Sequence, residues 1–234
     1  MNIEKEIKEL IPDEEEYLVG FADMTGLLVD KYKGFNFAVV TGQKLDDSVM
    51  DSVEAGPNRE YYEHYIKTNK DLSELARKIS RMLSLLEISN LIIEPTLSSK
   101  AINNRYYKTL RYDFSHKMAA TRAGLGWIGK TGLFISEKFG PRLRLATILI
   151  DYTLQRGKEP INESKCGSCK ICVEKCPAGA ANGLLWNVNI DRDQFYDAFK
   201  CREKCIELTP KNLNAAKYIC GICVSVCPIG KRHL

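Results

Sequence analysis

The chain has 234 residues, 44% of them hydrophobic and 27% charged, and carries a net charge of +4. That length accommodates one sizeable domain and a second small one, and the composition is ordinary for a globular protein. No run of 18 apolar residues occurs, which excludes a membrane-spanning helix, and the mild positive charge permits an acidic partner without arguing for one.

The opening Met1-Asn2-Ile3-Glu4-Lys5-Glu6 has no apolar core of the signal-peptide kind, so a cytoplasmic protein with no membrane partner is expected. Residues 3–10 read as a short amphipathic helix. Tyr17-Leu18-Val19-Gly20-Phe21-Ala22 and Asn36-Phe37-Ala38-Val39-Val40-Thr41 are apolar runs of strand length. From Pro57 to about Glu87 a helical period sets Tyr65, Leu72, Leu75, Ala76, Ile79, Met82, Leu83 and Leu86 on one face. The tyrosines at its start, Tyr61, Tyr62 and Tyr65, are expected to pack half-buried. Asn90-Leu91-Ile92-Ile93-Glu94 is a further strand, ended by Pro95. Residues 115–123 form a helix that stops at Gly124, a residue suited to the position after a helix end. Two more strands follow, Thr131-Gly132-Leu133-Phe134-Ile135 and 143–151. A loop rich in Gly, Lys and Pro at 157–165 marks the expected boundary. Residues 1–160 form a mixed-sheet α/β (α+β) layer domain, and 161–234 form a small domain whose core is largely inorganic.

The inorganic core is read from cysteine spacing. Cys166-Gly167-Ser168-Cys169-Lys170-Ile171-Cys172-Val173-Glu174-Lys175-Cys176-Pro177 is C-x2-C-x2-C-x3-C-P, answered by Cys220-Gly221-Ile222-Cys223-Val224-Ser225-Val226-Cys227-Pro228. Three closely spaced thiolates suit one [4Fe–4S] cubane, while the fourth, before proline, serves the other cluster. Cys166, Cys169, Cys172 and Cys227 therefore make one ligand set. Cys176, Cys220 and Cys223 make three quarters of a second, whose fourth ligand is Cys201 or Cys205. Nine cysteines for eight positions leave one thiol over. Zinc sites use C-x2-C pairs, but not two triple runs each ending C-x3-C-P, and disulfides belong to oxidising compartments. An oxygen-sensitive protein with two [4Fe–4S] clusters is the expectation.

Gly124-Leu125-Gly126-Trp127-Ile128-Gly129-Lys130-Thr131 matches both G-x-G-x-x-G and G-x-x-x-x-G-K-[ST]. Either phosphate-binding motif needs a strand leading in and a helix leading out. Here a helix leads in and a strand leads out, which argues against nucleotide. The glycines are instead expected to let backbone approach something flat or bulky, with Trp127 beside it.

Followed by two cluster motifs, the string Ala123–Lys130 resembles epoxyqueuosine reductase, a cobalamin-dependent iron–sulfur family of tRNA modification related to the reductive dehalogenases. Tyr17–Asp23, Asn58-Arg59-Glu60-Tyr61-Tyr62 and Asp197-Ala198-Phe199-Lys200-Cys201 are similar to further family segments, and the last selects Cys201 as the eighth ligand. The resemblance implies a first domain of the corrinoid/nitroreductase-like type and a bacterial dicluster ferredoxin-like second domain. It also implies that Gly124, Gly126, Trp127, Gly129 and Lys130 lie against a corrinoid. The clusters would then pass electrons from a low-potential donor, such as ferredoxin or flavodoxin, to that corrinoid. An electrophilic, epoxide-type substrate, small-molecule or tRNA-borne, would be reduced as a nearby acid supplies the proton. The family's acidic context ahead of the helix is altered here, leaving Glu94, Asp113 and His116 as candidates. Their bland roles are a turn acid, a helix cap and a packed imidazole. The helical-repeat extension of the family is missing from this sequence. The competing functions are a dicluster ferredoxin-like electron-transfer protein without corrinoid, and a cluster-bearing ATPase that uses the 124–131 string.

Overall fold

The computed structural model describes residues 2–96, 102, 104–155, 157–213 and 218–231. Of the basic segment Lys231-Arg232-His233, the last two residues lie outside these. In chain order the elements are α1 (Ile3–Glu9), β1 (Tyr17–Asp23), β2 (Phe37–Lys44), α2 (Asp47–Asp51), α3 (Arg59–Leu85), β3 (Asn90–Ile93), α4 (Asn104–Thr109) and α5 (His116–Arg122). They continue with β4 (Gly126–Ile128), β5 (Phe134–Ser136), β6 (Leu143–Ile150), α6 (Ile171–Glu174), α7 (Arg192–Phe195), α8 (Ala198–Asn212) and α9 (Ile222–Ser225). The fold is mixed α/β, as expected. No helix among the described residues is long and apolar enough to cross a membrane.

Two compact units divide the chain. The first comprises Met1–Lys44, Thr68–Leu125 and Arg144–Ile161. Its four-stranded sheet has the order β1-β2-β6-β3. β1 pairs antiparallel with β2, Tyr17 opposite Gln43 and Asp23 opposite Phe37, and β3 pairs antiparallel with β6, Asn90 opposite Ile150. β6 lies inside the sheet, which is why its sequence is apolar on both faces, with Ala146, Ile148, Leu149 and Ile150 fully buried. Leu75, Ala76, Ile79 and Leu83 of α3 pack into one core with Phe21, Val39, Ile148, Ile150 and the α1 residues Ile3 and Ile7. Each fully buried aliphatic side chain of this kind contributes about 1.5–3 kcal/mol, more than the helix propensity of any one position. Beyond α3, Glu87 adopts φ 60° and Ile88 N–H returns to the Leu83 carbonyl at 2.9 Å. The helix therefore ends in a left-handed cap without glycine. α5 ends as the sequence predicts, with Gly124 at φ 67°.

The second unit comprises Leu45–Lys67, Gly126–Leu143 and Asn162–Leu234. Its apolar cluster gathers Leu45, Val49, Met50, Val53, Tyr61, Leu213, Ile219 and Val224, with Tyr62, Tyr65 and Leu133 packed against it. The tyrosines at the start of α3 are thus packing residues. β4 and β5 form a short antiparallel hairpin, Gly126 opposite Ser136 and Ile128 opposite Phe134. The expected strand at 131–135 begins only at Phe134, because Gly132 turns the chain at φ 68° and its N–H bonds the Gly129 carbonyl at 2.9 Å.

Candidate cluster sites and proton donors

All nine cysteines are thiols without disulfides. In the second unit each C-x2-C run starts with a glycine at positive φ after its first cysteine, Gly167 at 54° and Gly221 at 86°. A one-turn helix follows in each, so that Cys172 lies on α6 and Cys223 on α9. At Gly221 a Cβ would meet Val53 at 2.7 Å and Tyr61 at 2.8 Å, so the loop also presses on the apolar cluster.

Electrostatic coupling groups most of the thiols into two sets, which meet where Cys223 also feels Cys172. Burial pushes the Cys227 thiol up to about 11, with Cys172, Cys166 and Cys169 close enough to add to the shift. Cys172 is likewise raised, by burial first and then by Cys166 and Cys169. Four sulfurs from two distant segments thus share one electrostatic neighbourhood, the donor set a cubane needs. Burial also raises Cys223, assisted by Cys220 and Cys201. Cys205 hydrogen-bonds to both Cys201 and Cys220. Those bonds pull the Cys201 and Cys220 thiols down, and Tyr196 adds a second hydrogen bond to Cys201. Cys176 accepts from the Ala180 N–H at 3.5 Å. Among the described residues no three His, Cys, Asp or Glu side chains gather tightly enough for a single metal ion.

The Gly124–Thr131 string belongs to the hairpin and its entry. Gly126 is opposite β5 so closely that a Cβ would stand 2.0 Å from the Ile135 carbonyl oxygen. A Cβ at Gly124 would stand 2.5 Å from the Glu159 carbonyl oxygen, and one at Gly129 would touch Ile135 at 3.0 Å. Trp127 is buried, and its Nε1–H donates to Cys166 Sγ at 3.4 Å. Lys130, only 2% exposed, donates its ammonium to the carbonyls of Gly167 at 2.8 Å and Cys169 at 2.7 Å. Each of the five residues expected against a corrinoid thus also meets a neighbour inside the protein. The ATPase alternative falls on the geometry. A helix leads into the string, a hairpin leads out, and the lysine holds carbonyls.

The three proton-donor candidates belong to the first unit. His116 opens α5, whose N-cap is Ser115, its side chain accepting from the Met118 N–H. Asp113 is therefore not the cap. Its carboxylate instead pairs with Lys31 at 3.3 Å and Arg105 at 3.6 Å. The His116 ring lies between the Thr147 hydroxyl, 2.8 Å from Nδ1, and the Glu94 carbonyl, 3.0 Å from Nε2. Desolvation pushes this imidazole down to about 4, with Arg144 adding and the Glu94 carbonyl opposing. It is neutral, with Nε2–H donating to Glu94 and Nδ1 accepting from Thr147. The Glu94 side chain turns to α3, accepting from Ser73 at 2.5 Å and pairing with Arg77 at 3.9 Å. The structure thus joins His116 to the Glu94 backbone and leaves the two carboxylates with separate cations.

Residues 165–230 match the family described as the 4Fe-4S double cluster binding domain. Epoxyqueuosine reductase of Synechocystis sp. is 35% identical over 135 residues, 56% of this chain and 44% of that protein. The enzyme of the same name from Staphylococcus aureus is 26% identical over 170 residues, 68% of this chain and 36% of that protein. Over these stretches the chain is similar to epoxyqueuosine reductases. It spans under half the length of these curated relatives. Among solved structures, epoxyqueuosine reductase from Bacillus subtilis shares the fold with a TM-score of 0.59 at 16% identity, over 98% of this chain and 64% of that one. A catabolic reductive dehalogenase does so with a TM-score of 0.66 at 15% identity, over 92% of this chain and 30% of that one.

Sequence reasoning missed three features of this chain. The Thr131 hydroxyl hydrogen-bonds Cys223, Tyr196 reaches Cys201, and fully buried Arg142 binds the Ser225 carbonyl at 3.0 Å beside the second cysteine run. Tyr196 is adjacent to the Asp197–Cys201 segment and was findable there. Arg142 carried no such signal.

Proposed function

We propose that this chain is a cobalamin-dependent iron–sulfur reductase of the epoxyqueuosine type, acting on an epoxide carried on tRNA in queuosine biosynthesis. One observation supports this over a dicluster ferredoxin. The likeness to epoxyqueuosine reductases runs over 135 to 170 residues, far beyond the 165–230 cluster domain. A neighbouring structure holds an epoxyqueuosine-modified tRNA stem loop, and another is described as B12-dependent. The proposal places the protein in the cytoplasm, takes electrons from a low-potential ferredoxin or flavodoxin, and keeps 1–160 and 161–234 as the functional division.

In this reading Cys166, Cys169, Cys172 and Cys227 hold the first cluster and Cys176, Cys201, Cys220 and Cys223 the second. Cys205 lies within hydrogen-bond reach of Cys201 and Cys220, and the likeness of Asp197–Cys201 to the family segment is the reason to prefer Cys201 as the eighth. Cobalamin, when bound, supplies a low-potential metal able to attack an electrophilic carbon. The protein's part is to feed it single electrons and to deliver protons. Removing an epoxide oxygen as water consumes two electrons and two protons. Asp113, in the loop before α5, is the proposed donor; the Bacillus subtilis neighbour likewise has a catalytic loop named for an aspartate, seen swung out of its active site. His116 is a positioning residue, since both its nitrogens are engaged.

Anaerobically prepared protein, mixed with cobalamin and re-purified, tests the proposal. About eight irons per chain and corrinoid absorption that co-elutes and responds to a low-potential reductant are expected. Cys201→Ala should fall to about four irons, while Cys205→Ala keeps about eight. Full iron with no cobalamin retained would make the protein an electron carrier; equal iron loss in the two variants would overturn the ligand assignment.

A further inference from the structure

The Gly124–Thr131 string has an occupation that its phosphate-binding pattern does not explain. Within the second unit Trp127 donates to Cys166 Sγ at 3.4 Å, and Lys130 is buried with its ammonium on the Gly167 and Cys169 carbonyls. The charge of Lys130 also reaches Cys172. One residue further, the Thr131 hydroxyl bonds Cys223 of the other thiol set. The short segment Trp127–Thr131 thus touches both sets, with unequal chemistry. The Cys166 set receives an indole N–H and a full buried cation. The Cys201–Cys220–Cys223 set receives neutral groups, from Thr131, Tyr196 and Cys205.

Reduction adds one negative charge to a cluster, so donors to sulfur and nearby cations favour the reduced form and raise the potential. A cation in a water-excluded site acts through a low effective dielectric and is poorly screened. We propose that Trp127 and Lys130 are positioning residues that raise the potential of the cluster held by Cys166, Cys169, Cys172 and Cys227 above that of its partner, so that the first electron taken up settles there. This rests on the cluster reading above but not on the corrinoid or the substrate.

The test is a reductive titration of anaerobic protein, followed by electron paramagnetic resonance, on the wild type, Trp127→Phe, Lys130→Met and Lys130→Arg. Wild type should show about eight irons and two one-electron waves. Trp127→Phe keeps an aromatic ring and loses the donor. It should move the higher wave to more negative potential, with about tenfold less reduced cluster at a fixed potential, and leave the lower wave and the iron content unchanged. Lys130→Met should move the same wave the same way, and Lys130→Arg, which keeps the charge, should restore most of the shift. Unmoved waves in Trp127→Phe at full iron, or an equal shift of both waves, would overturn the inference. Should Lys130→Met lose iron, Trp127→Phe and Lys130→Arg decide the matter alone. A wild type with about four irons, or with zinc, would instead sink the cluster reading itself.

Discussion

At His116 the two ring nitrogens bond the Thr147 hydroxyl and the Glu94 carbonyl, and desolvation holds the imidazole near 4. The ordinary value is about 6.5, so between those two pH values the unfolded chain binds a proton that the folded chain refuses. Stability is therefore fully present above about pH 6.5 and falls as pH drops towards 4. Between about pH 7 and pH 5 the loss from this residue is about 2 kcal/mol. Anaerobic urea denaturation at the two pH values should show it in the wild type, and His116→Gln should flatten the difference. An unchanged pH dependence in the variant would mean that the imidazole is protonated in the folded state. The same scale shows what single residues disclose in a sequence. A histidine announces a titratable group, but its burial comes from β3, β6 and α5 meeting, which no local pattern encodes. Lys130 misled in the opposite direction: its motif spelled phosphate, and only the fold reveals that the ammonium faces carbonyls of a segment 37 and 39 residues away.

Elements were legible where their period was long. The α3 stripe, the β1, β2 and β6 runs and the α5 stop at Gly124 all follow from spacing and capping. Among the short elements, α1 and β3 were legible and α2 was not. α2 is five residues whose start is set by Asp46, which accepts from the N–H groups of Ser48 and Val49 at 2.8 and 3.1 Å; the Ser48 hydroxyl, the largest influence, holds this carboxyl below its ordinary range. What fixes α2 in the second unit is Arg142, which reads as a surface charge in the sequence but is buried. It donates to the Asp47 carboxylate at 3.0 Å, to Asp51 at 2.5 Å and to the Ser225 carbonyl. Asp47 and Asp51 retain exposure of 25% and 59%, so solvent already screens part of each pair. Arg142→Met should still cost about 2–3 kcal/mol, mainly through the Ser225 carbonyl it leaves unpaired and the lost tie between α2 and α9. A lower thermal midpoint with full iron loading is the expected readout, and an unchanged midpoint would show that the tie carries no stability.

At the scale of the whole chain, the two units draw on different sources of stability. The first has a continuous apolar core from α1, α3 and the sheet. The second has a smaller apolar cluster, and among its described residues from 162 on are three one-turn helices beside the longer α8, with Leu184, Leu185, Val188 and Phe199 exposed. In the proposed ligand assignment, crosswise sharing of thiols lets each cluster pin two segments distant in sequence, so metal binding there is folding free energy. That assignment comes from the cysteine spacing. The composition of each unit was not, because α3 and β6 contribute residues to both and a boundary placed along the chain cannot express that. Burial, fuller at Cys227 and partial at Cys172 and Cys223, raises all three thiols, so they resist the charge that the metal would neutralise. Stripping iron with a chelator under anaerobic conditions should therefore act on one unit selectively. Hydrogen exchange should rise by orders of magnitude across α6, α7 and α9, one-turn helices with little else to hold them. Amides of β1, β2, β3, β6 and the 68–85 half of α3 should stay close to their protected rates. Uniform loss of protection would mean that the chain folds as a single cooperative body, and no loss at all would mean that the apolar cluster around Met50 and Tyr61 suffices without the inorganic core.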